Sequence, residues 1–471
     1  MKKYCSLILY MLIQSAGYAQ TDTVLFNALG NYNFNFLYSG YTPLIDRLGR
    51  PYVYLATKEL GVVTFDISNS SNPQPVDTIP KSAINNLKAT GVAQNGNFLF
   101  ISLGDFEGVG EPAGLAIFDI SNPSVPVIVD EWDSTFFDKG TSSVIVDGDY
   151  AYLSAMADGI LILDVSNQQN IQFVSHLIPD INFGFHHGTY HARGLFLNND
   201  TLLVADDNGG LRIIDVSNKQ TPVEIGMYVN SSIDSIGRAY YNHVYRIGNT
   251  AWCTVDFCGF ETVDISNVAS MQSIAWLNPW NCTNIPPPWG SWMGSDGHTN
   301  EIAYDTQRNI LFFSGGDSQV LAIDADNPSQ PQIIGVFGIP NDSVGSWGVD
   351  VYNNMIAIAN LHTLGFPFIS QVGGLQLLSY QVITSIEQYD LMNDVKLFPN
   401  PSTNLLTVSG ILFSSGDEIT ITNILGQKVL TSHIFENGMN REIDISKLSS
   451  GIYYLQLKTI KSCTTKRFIK K

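Results

Sequence analysis

A nine-residue segment recurs through most of the chain and limits what it can fold into. GVVTFDISN at 61–69 returns as GLAIFDISN at 114–122, GILILDVSN at 159–167 and GLRIIDVSN at 210–218. Weaker copies occupy 259–267, 319–327 and 374–380. The Asp of the motif falls at 66, 119, 164, 215, 264 and 324, at intervals of 53, 45, 51, 49 and 60 residues, and Ser379 replaces it in the seventh copy. A repeat of this length is one supersecondary unit that buries its apolar surface only against its neighbours. Seven copies at the length of a four-stranded blade predict a seven-bladed β-propeller. The 40 Gly, 20 Pro and 11% aromatic residues agree with a turn-rich, all-β protein.

Four strands are expected per repeat. In the fourth copy strand b resembles 193–197, strand c is 201–205 and strand d is 211–216, while strand a, 221–228, lies just ahead of the next blade. Tight Asn or Gly turns join b to c, as at 95–97, 147–149, 198–200 and 248–249. Blades stacked face to face bury both surfaces of each sheet, which accounts for the unalternating apolar run Leu161, Ile162, Leu163. The Gly-Leu-x-Ile-x-Asp-Val-Ser-Asn cores, with the following Pro73, Pro123, Pro222 and Pro328, resemble the LVIVD-repeat family of β-propellers over roughly 22–380. That resemblance implies a fold and a surface location, and little chemistry. The repeated Asp invites a cation-site reading, but an Asp ending a strand before Ser-Asn also accepts hydrogen bonds from the next turn's amides. Catalysis needs such a group once, not in nearly every blade, so the structural role is expected.

The two ends read as addresses. Residues 1–19 combine Lys2 and Lys3, an apolar stretch at 7–13 and a small-residue cleavage site before Gln20, the pattern of a signal peptide. The apolar stretch is too short to span a bilayer, and no later segment approaches 18 uninterrupted apolar residues. The net charge of −19 is unevenly spread: residues 20–393 hold 12 basic and 37 acidic side chains, whereas 394–471 hold 10 basic and 6 acidic ones. That shift marks a domain boundary after a polar linker at 381–393, and the acidic body argues against nucleic acid or an anionic membrane as partner. Short alternating segments at 395–408, 419–430 and 448–471 suggest a small β-sandwich. Their Phe398, Pro399, Asn400, Pro401, the strand–turn 423–427 with Gly426, then Gly451, Tyr453 and the basic end at Lys470 and Lys471 resemble the type IX secretion system C-terminal sorting domain of Bacteroidetes. The resemblance implies Sec-dependent passage to the periplasm, engagement of the type IX machinery across the outer membrane, and a product held at the outer surface or released.

Chemistry is sought where the repeats differ. The a–b and c–d loops emerge on one face and are long and dissimilar; the b–c and d–a turns on the other are short and uniform. His186, His187, His191, His243 and His298 lie in or just after a–b loops. With strand b near the axis, His191, His243 and His298 could converge on a divalent or transition metal, the basis of a metal-dependent enzyme reading; the alternative is a set of hydrogen-bonded loop histidines, with His243 three positions out of register. Trp276 is assigned to a strand, and Trp280, Trp289 and Trp292 to an a–b loop around Pro286, Pro287 and Pro288. With Trp347 these rings suit a glycan or protein ligand, or form a plug across one end of the channel. The acidic, Gly-rich loop 104–112 reads as solvated, without calcium-loop spacing. Among the cysteines of the mature chain one bridge is expected, most simply Cys258 to Cys282. The leading expectation is an exported binding module for an extracellular glycan or protein, with a metal-dependent enzyme as the alternative.

Overall fold

The computed structural model describes residues 22–471 apart from 36, 107–109, 181–189, 236–238, 281, 283–296, 318, 339–342, 365–368, 384–394, 414–416, 424–426, 435–437 and 459–462. The signal segment 1–19, Gly426, His186, His187, Trp289 and Trp292 lie outside the described residues. The described residues divide into two compact units, Val24–Gln381 and Val382–Lys471.

Within Val24–Gln381 the described residues form seven four-stranded antiparallel sheets. A typical sheet runs Ala192–Asn198, Thr201–Asp206, Gly210–Asp215, Val223–Tyr228 in that spatial order. The segment expected to open the next blade is therefore the outer strand of its own blade: the short turn after Asp215 folds Val223–Tyr228 back as a hairpin partner. The first strands of the sheets are Pro43–Ile45, Ala89–Asn95, Ser143–Asp147, Ala192–Asn198, Tyr241–Ile247, Thr299–Asp305 and Ser346–Tyr352. Each contacts the next, and the last contacts the first, so they close one inner ring. In the last sheet Thr23–Asn33 supplies the outer strand beside Gly374–Ile383, so the beginning of the propeller closes its end.

Burial follows position in the blade. Leu161, Ile162, Leu163 and Leu202 to Ala205 are fully buried, because sheets pack on both of their faces. Outer strands carry exposed apolar residues such as Val127, Ile128 and Val223. The motif glycine is demanded by geometry: Gly210 has φ +79°, and a Cβ there would stand 2.2 Å from the Tyr228 carbonyl oxygen. Cys258 and Cys282 are joined, with Cα atoms 5.2 Å apart, and Cys253 is a buried free thiol.

The second unit is a sandwich of two sheets. Lys396–Phe398, Leu405–Phe413 and Gly438–Asp444 form one; Lys428–His433, Glu418–Asn423, Gly451–Lys458 and Cys463–Lys470 form the other. Leu406, Val408, Ile421, Leu455, Leu457 and Phe468 share its core. The Pro399–Pro401 segment is clasped to the terminal strand: Ile469 N donates to Asn400 Oδ1 at 2.9 Å, and Lys471 N donates to Ser402 O at 2.8 Å. Tyr453 stacks on Phe468, and its hydroxyl donates to Ser449 O. No helix of the described residues is long and apolar enough to cross a membrane.

Candidate functional site at the channel mouth

The repeated Asp residues do one structural job. Ser68, Ser121, Ser166, Ser217, Ser266 and Asp326 each donate a backbone N–H to the Asp two positions earlier, at 2.7–2.9 Å. The motif Asn residues repeat the arrangement one turn later, as Gln220 N does with Asn218 Oδ1. Hydrogen bonds from the turn Ser hold the carboxyls of Asp119 and Asp215 below the usual range, and its backbone amide does the same for Asp264. These turns lie on the uniform face.

The inner strands carry the asymmetry. Their pairing aligns Pro43, Val92, Val144, Leu195, Val244, Ile302 and Val349, each opposite the corresponding residue of the second strand. One position earlier stands a ring of Thr42, Gly91, Ser143, Gly194, His243, Glu301 and Gly348; two positions earlier, Tyr41, Thr90, Ser142, Arg193, Asn242, Asn300 and Trp347. These two rings line most of a channel cavity of about 180 Å³, with Phe106 at one end and Arg47 and Asp350 at the other. Glycines make room for their neighbours: a Cβ on Gly348 would lie 2.7 Å from Glu301 Oε2, and one on Gly194 2.7 Å from His243 Cδ2.

Glu301 Oε1 accepts from Thr42 Oγ1 at 2.8 Å and Oε2 from Val349 N at 3.2 Å. Burial, against those bonds, pushes its carboxyl up to about 8, so it is neutral at pH 7. His243 is pushed down to about 4 by burial and is likewise neutral. The charges that line the cavity are paired: Arg193 with Asp207 at 3.1 Å, and Arg47 with Asp350. Burial raises Asp207 to about 6 against the Arg193 charge.

At the mouth, rings from distant blades meet. Phe106, from the loop 104–112, stacks on Trp347 with centroids 5.5 Å apart and 13° between planes, and Trp347 stacks on His298 at 5.5 Å. Tyr41 meets Phe106 and Trp347 edge-on. Two cations rest on these faces: Lys58 Nζ is 3.7 Å from the Phe106 centroid and 4.5 Å from that of Tyr41, and the Arg193 guanidinium is 4.9 Å from Phe106. The acidic loop is accordingly not merely solvated. Asp105 is buried between Lys58 at 2.9 Å and Lys88 at 2.6 Å, and Glu111 meets Lys88 at 3.2 Å. The resulting ion-pair network, not sequence spacing, brings Phe106 over the channel.

The histidines divide. His298 Nε2 contacts Asp256 Oδ1 at 2.6 Å while Nδ1 receives the Asn300 amide at 2.7 Å, leaving no ring nitrogen for a metal. Asp256 stands two residues before bridged Cys258. His191 Nδ1 lies 3.4 Å from Asp207 O, burial lowering its pKa, and His243 sits three positions deeper in the channel. Among the described residues no group of three or more His, Cys, Asp or Glu side chains, His191, His243 and His298 included, is arranged to hold a metal. Aligned on the b–c turn, His191 and His298 share one position and His243 stands three further along its strand, the bulges at the three strand starts being equivalent. Of the aromatic candidates, Trp347 is at the mouth. Trp280 instead packs beside Gly297 and against the core of Trp252, Phe260 and Ile302, so it belongs to the blade. Trp276, in the outer strand Gln272–Leu277, donates from Nε1 to Cys258 O of the turn before the preceding strand. Phe106, Tyr41, Arg193 and Glu301 carry no motif; register on the b–c turn was the signal that would have grouped Tyr41, Arg193 and Trp347.

Comparison with known proteins agrees with this architecture. The LVIVD repeat matches at 51–78, 88–134, 139–176 and 191–230, and the secretion system C-terminal sorting domain at 396–471. No curated protein matches the chain. Among solved structures, the WD40 repeats of RRP9 superpose with TM-score 0.55 at 10% identity, covering 76% of this chain and 97% of that one. The WD40 β-propeller domain of Doa1 does so with TM-score 0.50 at 9% identity, covering 76% and 97%. Likeness at such identity concerns the fold alone. The sorting domain implies engagement of the secretion machinery and export to the cell surface or the extracellular space. Four matched repeats in a ring of four-stranded sheets, followed by the matched tail, make the chain an LVIVD-repeat β-propeller protein with a secretion system C-terminal sorting domain.

Proposed function

We propose that the propeller is a binding module for an extracellular glycan or protein, engaged through the variable face. The observation that carries this reading is the stacked Phe106–Trp347–His298 platform at the channel mouth, flanked by Lys58 and Arg193. Rigid aromatic faces beside fixed polar groups offer large contact area at small entropic cost, the composition of binding hot spots and sugar platforms. The half-buried state of Trp347 and Phe106 leaves part of each ring open. The residues that hold the platform are already occupied by one another, which favours preorganised recognition over acid–base chemistry.

The full chain, probed on arrays of glycans and of surface proteins, is expected to retain a ligand that Trp347→Ala loses by more than about tenfold. A ligand held equally well by Trp347→Ala places recognition elsewhere. Absence of any ligand on both arrays removes the binding reading.

A further inference from the structure

Resting on the binding reading, we propose that the channel takes the terminal residue of a neutral glycan end-on: one sugar ring enters beneath the Phe106–Trp347 rim and hydrogen-bonds to Ser142, Asn242, His243 and Glu301.

Size comes first. A cavity of about 180 Å³ is roughly a dozen times the space one water needs, enough for a molecule of about a dozen heavy atoms and too small for a peptide segment or an internal stretch of polymer. Shape follows from the inner ring. Gly91, Gly194 and Gly348 alternate there with Ser143, Thr42 and two large polar side chains, so the wall is small on one side and functional on the other. His243 and Glu301 come from adjacent blades at one register position, each fitted over a neighbour's glycine.

Chemistry then narrows the class. The cations that line the cavity already face carboxylates, Arg193 with Asp207 and Arg47 with Asp350, so neither an anion nor a cation finds an uncompensated partner. The remaining groups are hydroxyls, amides, a neutral imidazole and a carboxyl that burial keeps protonated at pH 7, each able to donate or accept. A ring of mixed donors and acceptors under an aromatic rim matches a polyol, whose hydroxyls do both and whose C–H face stacks on an aromatic.

The test uses the full chain with D-glucose, D-galactose, D-mannose and N-acetyl-D-glucosamine as separate probes, read by saturation-transfer NMR. At least one is expected to bind. Ser142→Phe, which fills the cavity from a side chain with no fold-holding bond among those described, should weaken that binding at least tenfold, and Trp347→Ala several-fold. Ser142→Leu serves in its place where Phe lowers the melting temperature. An oligosaccharide ending in the bound sugar should bind, and one carrying it only internally should not. Binding of none of the four sugars, or binding unchanged by filling Ser142, overturns the proposal. An array ligand that needs Trp347 while no monosaccharide binds would overturn this inference and leave the surface-binding reading standing.

Discussion

The two faces of the propeller use polar residues in opposite ways. On the uniform face Asp66, Asp119, Asp164, Asp215, Asp264 and Asp324 each cap the turn that follows, the same bond made six times. At the mouth and in the channel, register-equivalent positions hold six residue types across seven blades: Tyr41, Thr90, Ser142, Arg193, Asn242, Asn300 and Trp347. Repetition marks what every blade needs in order to stand. Divergence marks what the assembled ring needs once, and there groups such as Asn242 and Trp347 meet partners from other blades.

That contrast can be broken most severely at Arg212. The equivalent positions in other blades are Val63, Ala116, Leu161, Glu261, Leu321 and Gln376, and Arg212 is fully buried, with Nη1 2.8 Å from Glu224 and Nη2 3.6 Å from Asp206. Arg212→Leu restores the commoner residue but strands two carboxylates. A loss of about 3–5 kcal/mol in denaturant unfolding is expected. An unchanged midpoint would show that the blades are interchangeable at this position.

A second, intermediate effect concerns pH. Burial raises Glu301 to about 8, Asp206 to about 7 and Asp207 to about 6. Between the ordinary carboxylate range and those values the folded chain keeps protons that the unfolded chain has released. Stability therefore falls as pH rises from about 4.5 to 8 and levels off above. Glu301 faces Asp350, which raises its pKa, and Arg193, which lowers it, besides Thr42 and the Val349 amide. Glu301→Gln should flatten the fall in melting temperature between pH 5 and 8.5; an identical slope in the variant would assign the effect to the chain's general negative charge.

The smallest effect is expected on the uniform face. Asp215→Ala removes one exposed turn cap, and Ser217 N can turn to water instead, so melting should stay close to wild type and ligand binding unchanged. The depressed carboxyls of these turns contribute stability above the ordinary carboxylate range that is lost on acidification. A collapse of binding in Asp215→Ala would erase the distinction between the faces.

Much of the fold was legible because its signals are local and repeated. The GxxxxDVSN cores announce a strand and an exit at which the Asp accepts from the next turn's amides, and both appear where the sequence placed them. The Cys258–Cys282 bridge was readable from position along the chain. The site was less legible. Trp347 could be singled out as a rare residue in a variable loop, but Phe106 sits in a loop whose acidic residues suggested solvent. Its place over the channel depends on Lys58 and Lys88, 47 and 17 residues from Asp105 along the chain, meeting that carboxylate. The three histidines lie near the start of the same strand in successive blades, yet His243 stands three positions further along than His191 and His298, and His298 is taken up by Asp256 and Asn300.

By itself, the sequence determined the repeat, its strands and turns, the charge contrast between body and tail, and the sorting label, since each is written in contiguous residues whose preferences are local. Only the tertiary structure decided which strand is inner, which residues of seven blades share one level of the channel, and which charges neutralise one another. Those are properties of ring closure. They bring together side chains up to about 300 residues apart, such as Thr42 with Glu301 and Arg47 with Asp350, and no local preference encodes such meetings.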